Sequence, residues 1–188
     1  MHHHYKINKP YGFLSQFIYE QKRKKKLLGE LFDFAEGTMA IGRLDEDSEG
    51  LLLLTTNGKI SEQVRSKKVE KEYYAQVDGF ITQEAIDLIK NGVEIGFDGQ
   101  KYTTKKCNSF LVAEVPEFGL RAKKIRDERH GPSSWVSITL TEGKFRQVRK
   151  MTAAVGFPTL RLVRVRIGSI YLDALKSGEV VELKSINV

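Results

Sequence analysis

The chain has a single cysteine, Cys107, and no long run of apolar residues. One cysteine excludes an internal disulfide and is typical of a protein kept in a reducing compartment. No apolar stretch approaches the roughly 18 residues that a membrane-spanning helix requires. The first residues lead directly into strand-like sequence, so we expect no secretory signal peptide. These absences argue against disulfide-rich secreted proteins and membrane spans, and they predict a cytoplasmic protein without a membrane partner.

The composition is that of a folded protein, with 40% hydrophobic and 29% charged residues in 188 positions. This length suits one domain, or two small lobes around a shared core. The formal charge is +7, and the positive residues come in clusters. A single cluster is usually only a solvated surface, but five in so small a chain favour a nucleic-acid partner. Composition alone does not separate RNA from DNA. The clusters lie at residues 22–26, 67–71, 105–106, 121–129 and 146–166.

Against this positive background, the short stretch between Gly42 and Gly50 is acidic. The apolar run that follows it, residues 51–54, has the length of a buried strand. Such a loop repels a polyanionic partner, so its presence in a basic chain is unexpected unless one of its carboxylates has a chemical role. The alternative is a plain polar turn, because Asp, Ser and Gly are common turn residues. The four acids of this acidic loop are Asp45, Glu46, Asp47 and Glu49.

A metal site is a further interpretation of the acidic loop. Asp45, Asp47 and Glu49 at alternate positions, followed by Gly50, imitate the start of a calcium-binding loop. The position that should supply the closing bidentate glutamate is Thr56, and leucines precede it. We therefore reject the metal site.

Periodicity predicts more strands than helices, separated by hairpin turns, which indicates an α+β fold with a mainly antiparallel central sheet and flanking helices. Predicted helical stretches are 21–36, 60–66, 82–90 and 145–155, with a helical turn at 172–176. Predicted strands are 5–8, 39–44, 51–55, 70–77, 93–95, 101–106, 110–115, 135–140, 160–167 and 179–183.

Residues 116–134 carry many charges and show no useful periodicity. They predict a long loop, and long loops in small domains are usually functional or disordered. An RNA-gripping flap and plain disorder are the two interpretations.

The stretch Gly42-Arg43-Leu44-Asp45, continued by Ser48-Glu49-Gly50 and the leucine run to Thr55, resembles the catalytic motif of the RsuA-type branch of RNA pseudouridine synthases. Three further segments are similar to the same family in the same order, so the resemblance covers nearly the whole chain. Residues 15–17 and the Tyr73-Tyr74 pair are most similar to the members that act on the large ribosomal subunit. The further segments are residues 8–12, 71–79 and 141–162.

The resemblance implies the catalytic-domain fold of this family, with an active-site cleft across the sheet. It implies one domain over residues 1–188, with two lobes that share one sheet and no separate N-terminal RNA-binding domain. Lys150 stands where the family commonly has arginine, which keeps the charge but loses the bidentate fork. The implied catalytic residues are Asp45, Tyr73 and Arg149. The implied RNA- or substrate-binding residues are Arg43, Lys9, Lys71, Arg146, Gln147 and Lys150.

The implied reaction detaches uracil from C1′ of a ribose and rejoins it through C5, an isomerisation that needs neither cofactor nor metal. Asp45 is then the carboxylate at the junction of ribose and base, as a nucleophile or as a base at C2′ on a glycal route. Arg149 keeps Asp45 ionised, Tyr73 stacks on the uracil, and Arg43 fills the space that a flipped uridine leaves.

The expected substrate is 23S rRNA, bound by a monomer that has no DNA partner. Two alternatives stand beside it: a synthase for small-subunit rRNA or tRNA, and a non-catalytic RNA-binding protein on the same fold.

Overall fold

The computed structural model describes residues 2–18, 25–66, 68–126 and 128–188. Within these ranges the chain forms eleven strands and three α-helices. The strands are β1 (His4–Lys9), β2 (Met39–Ala40), β3 (Glu49–Thr55), β4 (Lys71–Asp78), β5 (Glu94–Phe97), β6 (Gln100–Thr103), β7 (Asn108–Val112), β8 (Ser133–Leu140), β9 (Thr159–Ile167), β10 (Ile170–Tyr171) and β11 (Val180–Leu183). The helices are α1 (Gly58–Arg65), α2 (Gln83–Asn91) and α3 (Gln147–Ala154).

Nine of these strands form one sheet, whose main path is β11–β1–β3–β9–β4–β8–β7. The short strands β2 and β10 pair with β3 and β9, whereas β5 and β6 form a separate hairpin. Among the described strands, every pairing is antiparallel except that of β3 with β9. The predicted α+β class with a mainly antiparallel sheet is therefore confirmed.

Strand β3 is buried on both faces, which explains its unbroken run of leucines. Because successive side chains of a strand point to opposite faces, Leu52 and Leu54 lie on one face, and Leu51 and Leu53 on the other. We name the face of Leu52 and Leu54 the front face. The back face carries Leu51 and Leu53 together with Val163 in one hydrophobic cluster.

Two separate hydrophobic clusters occupy the front face. The first lies over β1 and β3, and the second lies over β4 and β8 beneath α2 and α3. Tyr73 of β4 packs against both clusters and so marks the boundary between them. The buried members include Tyr5, Ile7, Leu52 and Leu54 in the first cluster and Ala75, Val77, Val136 and Ile138 in the second.

Helices α1 and α2 begin where the sequence supplies a capping side chain. The side chain of Asn57 accepts the backbone N–H of Lys59 at 3.0 Å at the start of α1, and Thr82 accepts the N–H of Ala85 at 3.3 Å at the start of α2. Such caps satisfy N–H groups that have no partner within the helix. Gly92, with φ 101°, ends α2. No helix in the described ranges is long and apolar enough to cross a membrane.

The prediction of a helix over residues 21–36 is wrong where the chain is described. Residues 21–24 lie outside the described residues, and beyond them only a 3₁₀ turn forms, at Leu28–Glu30. The backbone of this segment bonds instead to an earlier extended stretch, through Leu14 N to Lys26 O at 2.9 Å and Leu28 N to Gln16 O at 3.0 Å. Burial of the adjacent Leu27 and Leu28 favours this extended docking over a one-sided helix.

Three other predicted boundaries also differ. The strand expected over 39–44 ends at Ala40: Ile41 N still donates to Leu53 O at 2.8 Å, but Gly42 has φ 71°, and the backbone of Leu44 bonds the Ser15 hydroxyl. Helix α3 begins at Gln147, since Arg146 before it has φ 53°. Residues 172–176 form turns, and the short strand β10 precedes them.

At Gly50, the backbones of β3 and β9 lie close together at the centre of the sheet. It pairs with Arg164 in the parallel register of β3 and β9 and has φ 103°. A Cβ atom at this position would meet the backbone of Arg164, with the nitrogen at 2.7 Å. Only glycine combines this φ with the space that the neighbouring strand leaves.

Lys9, the last residue of β1, is fully buried on the front face. Its Nζ donates to the backbone oxygens of Pro10 at 2.9 Å and Phe13 at 2.8 Å. Burial lowers the pKa of this ammonium from 10.5 to about 8, although the charges of Glu49 and Asp47 act in the opposite direction. Burying an ammonium group whose acceptors are carbonyl oxygens costs free energy. Because its pKa is lowered in the folded state, the free energy of unfolding depends on pH.

We expect Gly50→Ala to lower the free energy of unfolding by about 2 kcal/mol or more, because an L residue is strained at this φ and its Cβ collides with β9. The matched control is Gly58→Ala in α1, where a Cβ meets nothing within 4 Å. That change should raise stability by up to about 1 kcal/mol. Urea unfolding of the three proteins measures both signs, and a neutral Gly50→Ala would contradict the close approach.

We expect the stability of the wild type, measured against Lys9→Met, to rise between about pH 8 and pH 10.5. The folded-state pKa lies below the unfolded value, so in this window the unfolded chain binds more protons and higher pH favours the folded state. The full difference is on the order of 3 kcal/mol, at about 1.4 kcal/mol per pH unit. Urea unfolding across the window measures it, with the exposed Lys59→Met as control. Parallel pH profiles for wild type and Lys9→Met would disprove it.

Candidate active site

A cleft of about 540 Å³ lies at the boundary of the two front-face clusters. One wall comes from the acidic loop and residues 14–16, and the other comes from the turn 142–147 that leads into α3. The lining residues include Arg43, Asp45, Glu46, Ser48, Tyr73, Glu142, Lys144, Phe145, Arg146 and Gln147. The structure thus brings five of the predicted site residues to one cavity: Arg43, Asp45, Tyr73, Arg146 and Gln147.

The acidic loop is largely neutralised from within the protein. Three of its four carboxylates are hydrogen-bonded to a cation, and Asp45 is the exception among the described residues. The nearest cation to Asp45 in the described structure is Arg146, with Nη1 at 3.7 Å from Oδ2. The paired carboxylates are Glu46 with Lys25 at 2.8 Å, Asp47 with Arg146 at 2.8 Å and Glu49 with Arg161 at 2.8 Å.

Asp47 is the carboxylate that connects the acidic loop to α3. Both of its oxygens accept from the guanidinium of Arg146, at 3.0 and 2.8 Å. Nη2 of Arg149 donates to the backbone oxygen of Asp47 at 2.8 Å and lies 3.5 Å from its carboxylate. The predicted pairing of Arg149 with Asp45 is therefore not the observed contact. Arg149 contacts Asp47, and Arg146 lies nearer to Asp45.

The pKa values follow this pairing. Burial raises the pKa of the Asp47 carboxyl, but hydrogen bonds from Arg146 and the charge of Arg149 outweigh it, so the pKa is lowered. The hydrogen bond to Asp47 raises the pKa of Arg146. Burial lowers the pKa of Arg149, with Asp47 opposing it. Asp47 therefore stays ionised and holds both guanidinium groups beside the cleft.

Backbone contacts fix the loop that carries Asp45. The N–H of Ser48 donates to the oxygen of Asp45 at 3.0 Å, which closes a tight turn. The hydroxyl of Ser15 accepts from Leu44 N and donates to Leu44 O, directly before Asp45. Ser15 is buried, and it fixes the backbone directly before Asp45, so it is part of the site.

A buried carboxylate, Glu142, holds the opposite wall. It accepts from Tyr102 Oη at 2.5 Å, from the backbone of Lys105 at 3.0 Å and from Gln147 Nε2 at 2.7 Å. Oε1 of Gln147 in turn accepts the backbone N–H of Lys144 at 2.9 Å. This network fixes the turn before α3 and so the position of Arg146, whose left-handed backbone is costly for a non-glycine residue.

Tyr73 lies above a second buried cation, Arg164 of β9. The guanidinium carbon of Arg164 is 5.9 Å from the centre of the Tyr73 ring, and Nε donates to Leu51 O at 2.7 Å. Nη2 of Arg164 is buried without a hydrogen-bond partner among the described residues. Arg164 therefore fixes the floor of the cleft beneath the tyrosine ring.

The remaining predicted residues lie around the cleft. Arg43 is exposed on its margin, and Lys150 reaches the backbone oxygen of Gly96 at 2.7 Å. Lys71 is half-buried, and burial together with Arg164 lowers its pKa. Lys9 and Gln147 differ from the expectation, because both are buried and their polar ends are bonded within the protein. Gln147 still lines the cleft, with its amide bonded to Glu142 and to the backbone of Lys144, whereas Lys9 is not among the lining residues.

Residues that pattern analysis did not assign are also part of the site. Asp47 and Glu142 hold the two walls, and Arg164 holds the floor. Asp47 had a usable signal, since it lies two residues after Asp45 in an acidic stretch of a basic chain. Glu142 and Arg164 had none, because their burial is set by tertiary packing. In the described residues, no three His, Cys, Asp or Glu side chains group as metal ligands.

Comparison with known proteins agrees with this geometry. The sequence model of the RNA pseudouridylate synthase family matches residues 3–154. Ribosomal large subunit pseudouridine synthase E of Xanthomonas axonopodis pv. citri is 42% identical over 171 residues, which cover 90% of this chain and 87% of that protein. The protein of the same name from Vibrio parahaemolyticus is 39% identical over 182 residues, covering 95% of this chain and 72% of that protein.

Solved structures show the same fold. A crystal structure of a pseudouridylate synthase has a TM-score of 0.74 at 28% identity, covering 98% of this chain and 71% of that one. The human RNA pseudouridylate synthase domain containing 1 has a TM-score of 0.55 at 19% identity, covering 98% and 80%, and supports the fold alone. With a family model over most of its length and relatives of this identity, the chain belongs to the RNA pseudouridine synthase family, in its RsuA-type branch, and is an isomerase by class.

Proposed function

We propose that the protein converts a specific uridine of 23S rRNA into pseudouridine, with Asp45 as the catalytic carboxylate. One observation carries this proposal. The acidic loop pairs three carboxylates with cations of the protein and leaves Asp45 at the cleft, 3.7 Å from Arg146 and without a hydrogen-bonded cation among the described residues. A loop that served only as a turn would not need one carboxylate presented in this way.

The choice of 23S rRNA rests on the relatives. The two proteins compared above, at 42% and 39% identity, are both named for the large ribosomal subunit. The chain covers at least 72% of each, so the likeness extends beyond the catalytic motif. The net charge of +7 is consistent with an RNA substrate.

The reaction balances without a co-reactant. The bond from N1 of uracil to C1′ breaks, the base turns, a bond from C5 to C1′ forms, the proton of C5 is lost to water, and N1 takes up a proton in its place. Asp45 assists the first step by attack on the substrate, or by removing the C2′ proton on a glycal route. The two routes differ in whether the C2′–H bond breaks, so deuterium at C2′ slows turnover only on the glycal route.

Neighbouring groups serve this carboxylate. Arg146 supplies positive charge at 3.7 Å, and Arg149 acts through Asp47, which it holds from the backbone side. Arg149 is therefore a positioning residue in this proposal. Tyr73 stacks on the uracil, supported from below by Arg164. Its hydroxyl assists removal of the C5 proton.

A uridine must leave its stack before it can enter the cleft, at a cost of a few kcal/mol. Arg43 lies exposed at the cleft margin, next but one to Asp45, where its side chain can fill the vacated space. Lys150, and the part of Arg146 that faces solvent, hold the phosphates of the same strand. We further propose that residues 1–188 act as one catalytic domain, as a monomer in the cytoplasm. The continuous sheet from β11 to β7 supports the single domain.

Asp45→Asn should reduce turnover by on the order of 1000-fold or more, because the amide is neither a nucleophile nor a base. The assay uses 23S rRNA with tritium at C5 of uridine, since joining the base through C5 expels the tritium into water. The matched control is Asp87→Asn on the exposed side of α2, which should keep the wild-type rate. Tritium release by Asp45→Asn at the wild-type rate would remove Asp45 from the mechanism.

The same assay on wild type tests the substrate. Release from 23S rRNA, with none from small-subunit rRNA or tRNA, is the expected result. Release from another RNA alone would change the substrate and keep the chemistry. Binding without release from any of the three would favour a non-catalytic RNA-binding protein.

Tyr73→Phe separates the two roles of the tyrosine. The phenyl ring still stacks on uracil, so affinity for 23S rRNA should stay within a few fold. Loss of the hydroxyl should slow tritium release by about 100-fold or more, the usual contribution of a positioned proton-transfer group. Equal rates for Tyr73→Phe and wild type would reduce the tyrosine to packing, and Tyr74→Phe on the opposite face of β4 is the control.

A further inference from the structure

Aromatic rings and ammonium groups alternate along the margin of the cleft beside α3. Lys144 Nζ lies 4.6 Å from the ring centre of Phe97 and 4.9 Å from that of Tyr102. Lys150 Nζ lies 5.9 Å from the centre of Phe97 and 5.5 Å from that of Phe145. We name these five residues the aromatic margin. Its rings belong to the β5–β6 hairpin and to the turn before α3.

Phe145 is the exposed member of the aromatic margin. It is 66% exposed, yet it lines the same cleft as Asp45 and Tyr73. An isolated phenyl group on a surface is common and needs no function. Phe145 differs in its location, because the next residue is Arg146, which is bonded to Asp47 and lies 3.7 Å from Asp45.

The ring is also attached to a fixed piece of backbone. Glu142 and Gln147 close the turn that carries Phe145, and Arg146 anchors it to the opposite wall. A surface held in place before a ligand arrives loses little conformational entropy when it binds one. This distinguishes Phe145 from an exposed side chain on a free loop.

Charge next to the ring indicates the class of ligand. The ammonium of Lys144 makes no hydrogen bond within the described residues, and Lys150 uses one of its three donors on the backbone oxygen of Gly96. Flat apolar rings beside ammonium groups are the elements with which proteins bind single-stranded nucleic acid, since the base stacks and the phosphate pairs with the cation.

We propose that Phe145 is a stacking surface for an unpaired nucleotide next to the target uridine, and that Lys144 and Lys150 bind the phosphates of that nucleotide. This inference rests on the proposed function, since it extends the same cleft. Stacking tolerates any base, so the aromatic margin holds the opened strand and does not read its sequence.

Binding of 23S rRNA tests the stacking. Phe145→Leu keeps an apolar side chain but removes the aromatic face, and it should bind 23S rRNA on the order of 10- to 100-fold more weakly. Phe145→Trp should bind at least as tightly as wild type. The matched control is Phe110→Leu on β7, an exposed phenylalanine away from the cleft, which should not change affinity. Thermal unfolding checks that each variant is folded.

Salt dependence tests the phosphate contacts. In the double variant with Lys144→Gln and Lys150→Gln, RNA affinity should fall less steeply with salt. The slope of log affinity against log salt concentration should be smaller in magnitude by roughly 1.4, as expected for two lost contacts to a single strand. An unchanged slope, or wild-type affinity in Phe145→Leu, would overturn the proposal. Both experiments measure RNA affinity and not turnover. They therefore test the stacking proposal even if the wild type releases no tritium, a result that would refute only the proposed function.

Discussion

The hydrogen-bonded pair of Asp47 with Arg146 joins two segments 99 residues apart and defines the width of the cleft. Both side chains are about one third exposed, so the pair contributes modestly to stability. Its larger effect is on position. The pair fixes the distance from Asp45 to the nearest cation, and it attaches Phe145 to the same wall. If Asp47 were lost, the guanidinium groups of Arg146 and Arg149 would lose their shared partner. Asp45, at 3.7 Å from Arg146, would then be the nearest carboxylate left in the described structure.

Several cations are buried beneath the cleft, and burying them costs free energy of folding. Among the described residues, Arg164 Nη2 and Arg149 Nε have no hydrogen-bond partner, and Lys9 Nζ donates only to carbonyl oxygens. Taking a cation out of water costs free energy, and a donor without a partner does not recover that cost. Such concessions are typical of functional sites, where charge in the right place outweighs a tighter core. On the back face, the pair Glu49–Arg161 shows the contrasting case, in which a buried charge is fully matched.

Sequence patterns predicted most of the strands and the residues that share the cleft, because alternation in β4 and the leucines of β3 report burial directly. They did not predict which cation meets which carboxylate. Arg146 and Arg149 lie three residues apart at the start of α3, and their spacing does not say that Arg146, with its left-handed backbone, lies nearer to Asp45. Gln147 and Lys9 look like surface donors in sequence, and their burial depends on neighbours far along the chain. The strand expected at 39–44 ends at Ala40, two residues before Gly42, whose φ is 71°.

The position of β9 has a consequence for synthesis of the protein. β3 and β4 are consecutive long strands in the chain but do not pair, because β9, which begins at Thr159, lies between them. At roughly 5–20 residues per second, several seconds separate the emergence of β4 from that of β9. Before β9 emerges, β3 can pair with β1 and β4 can pair with β8, but no described strand joins these two halves of the sheet. The acidic loop is thus made before the two arginines that bind Asp47, and the cleft between the two halves of the sheet can form only after β9 has been made.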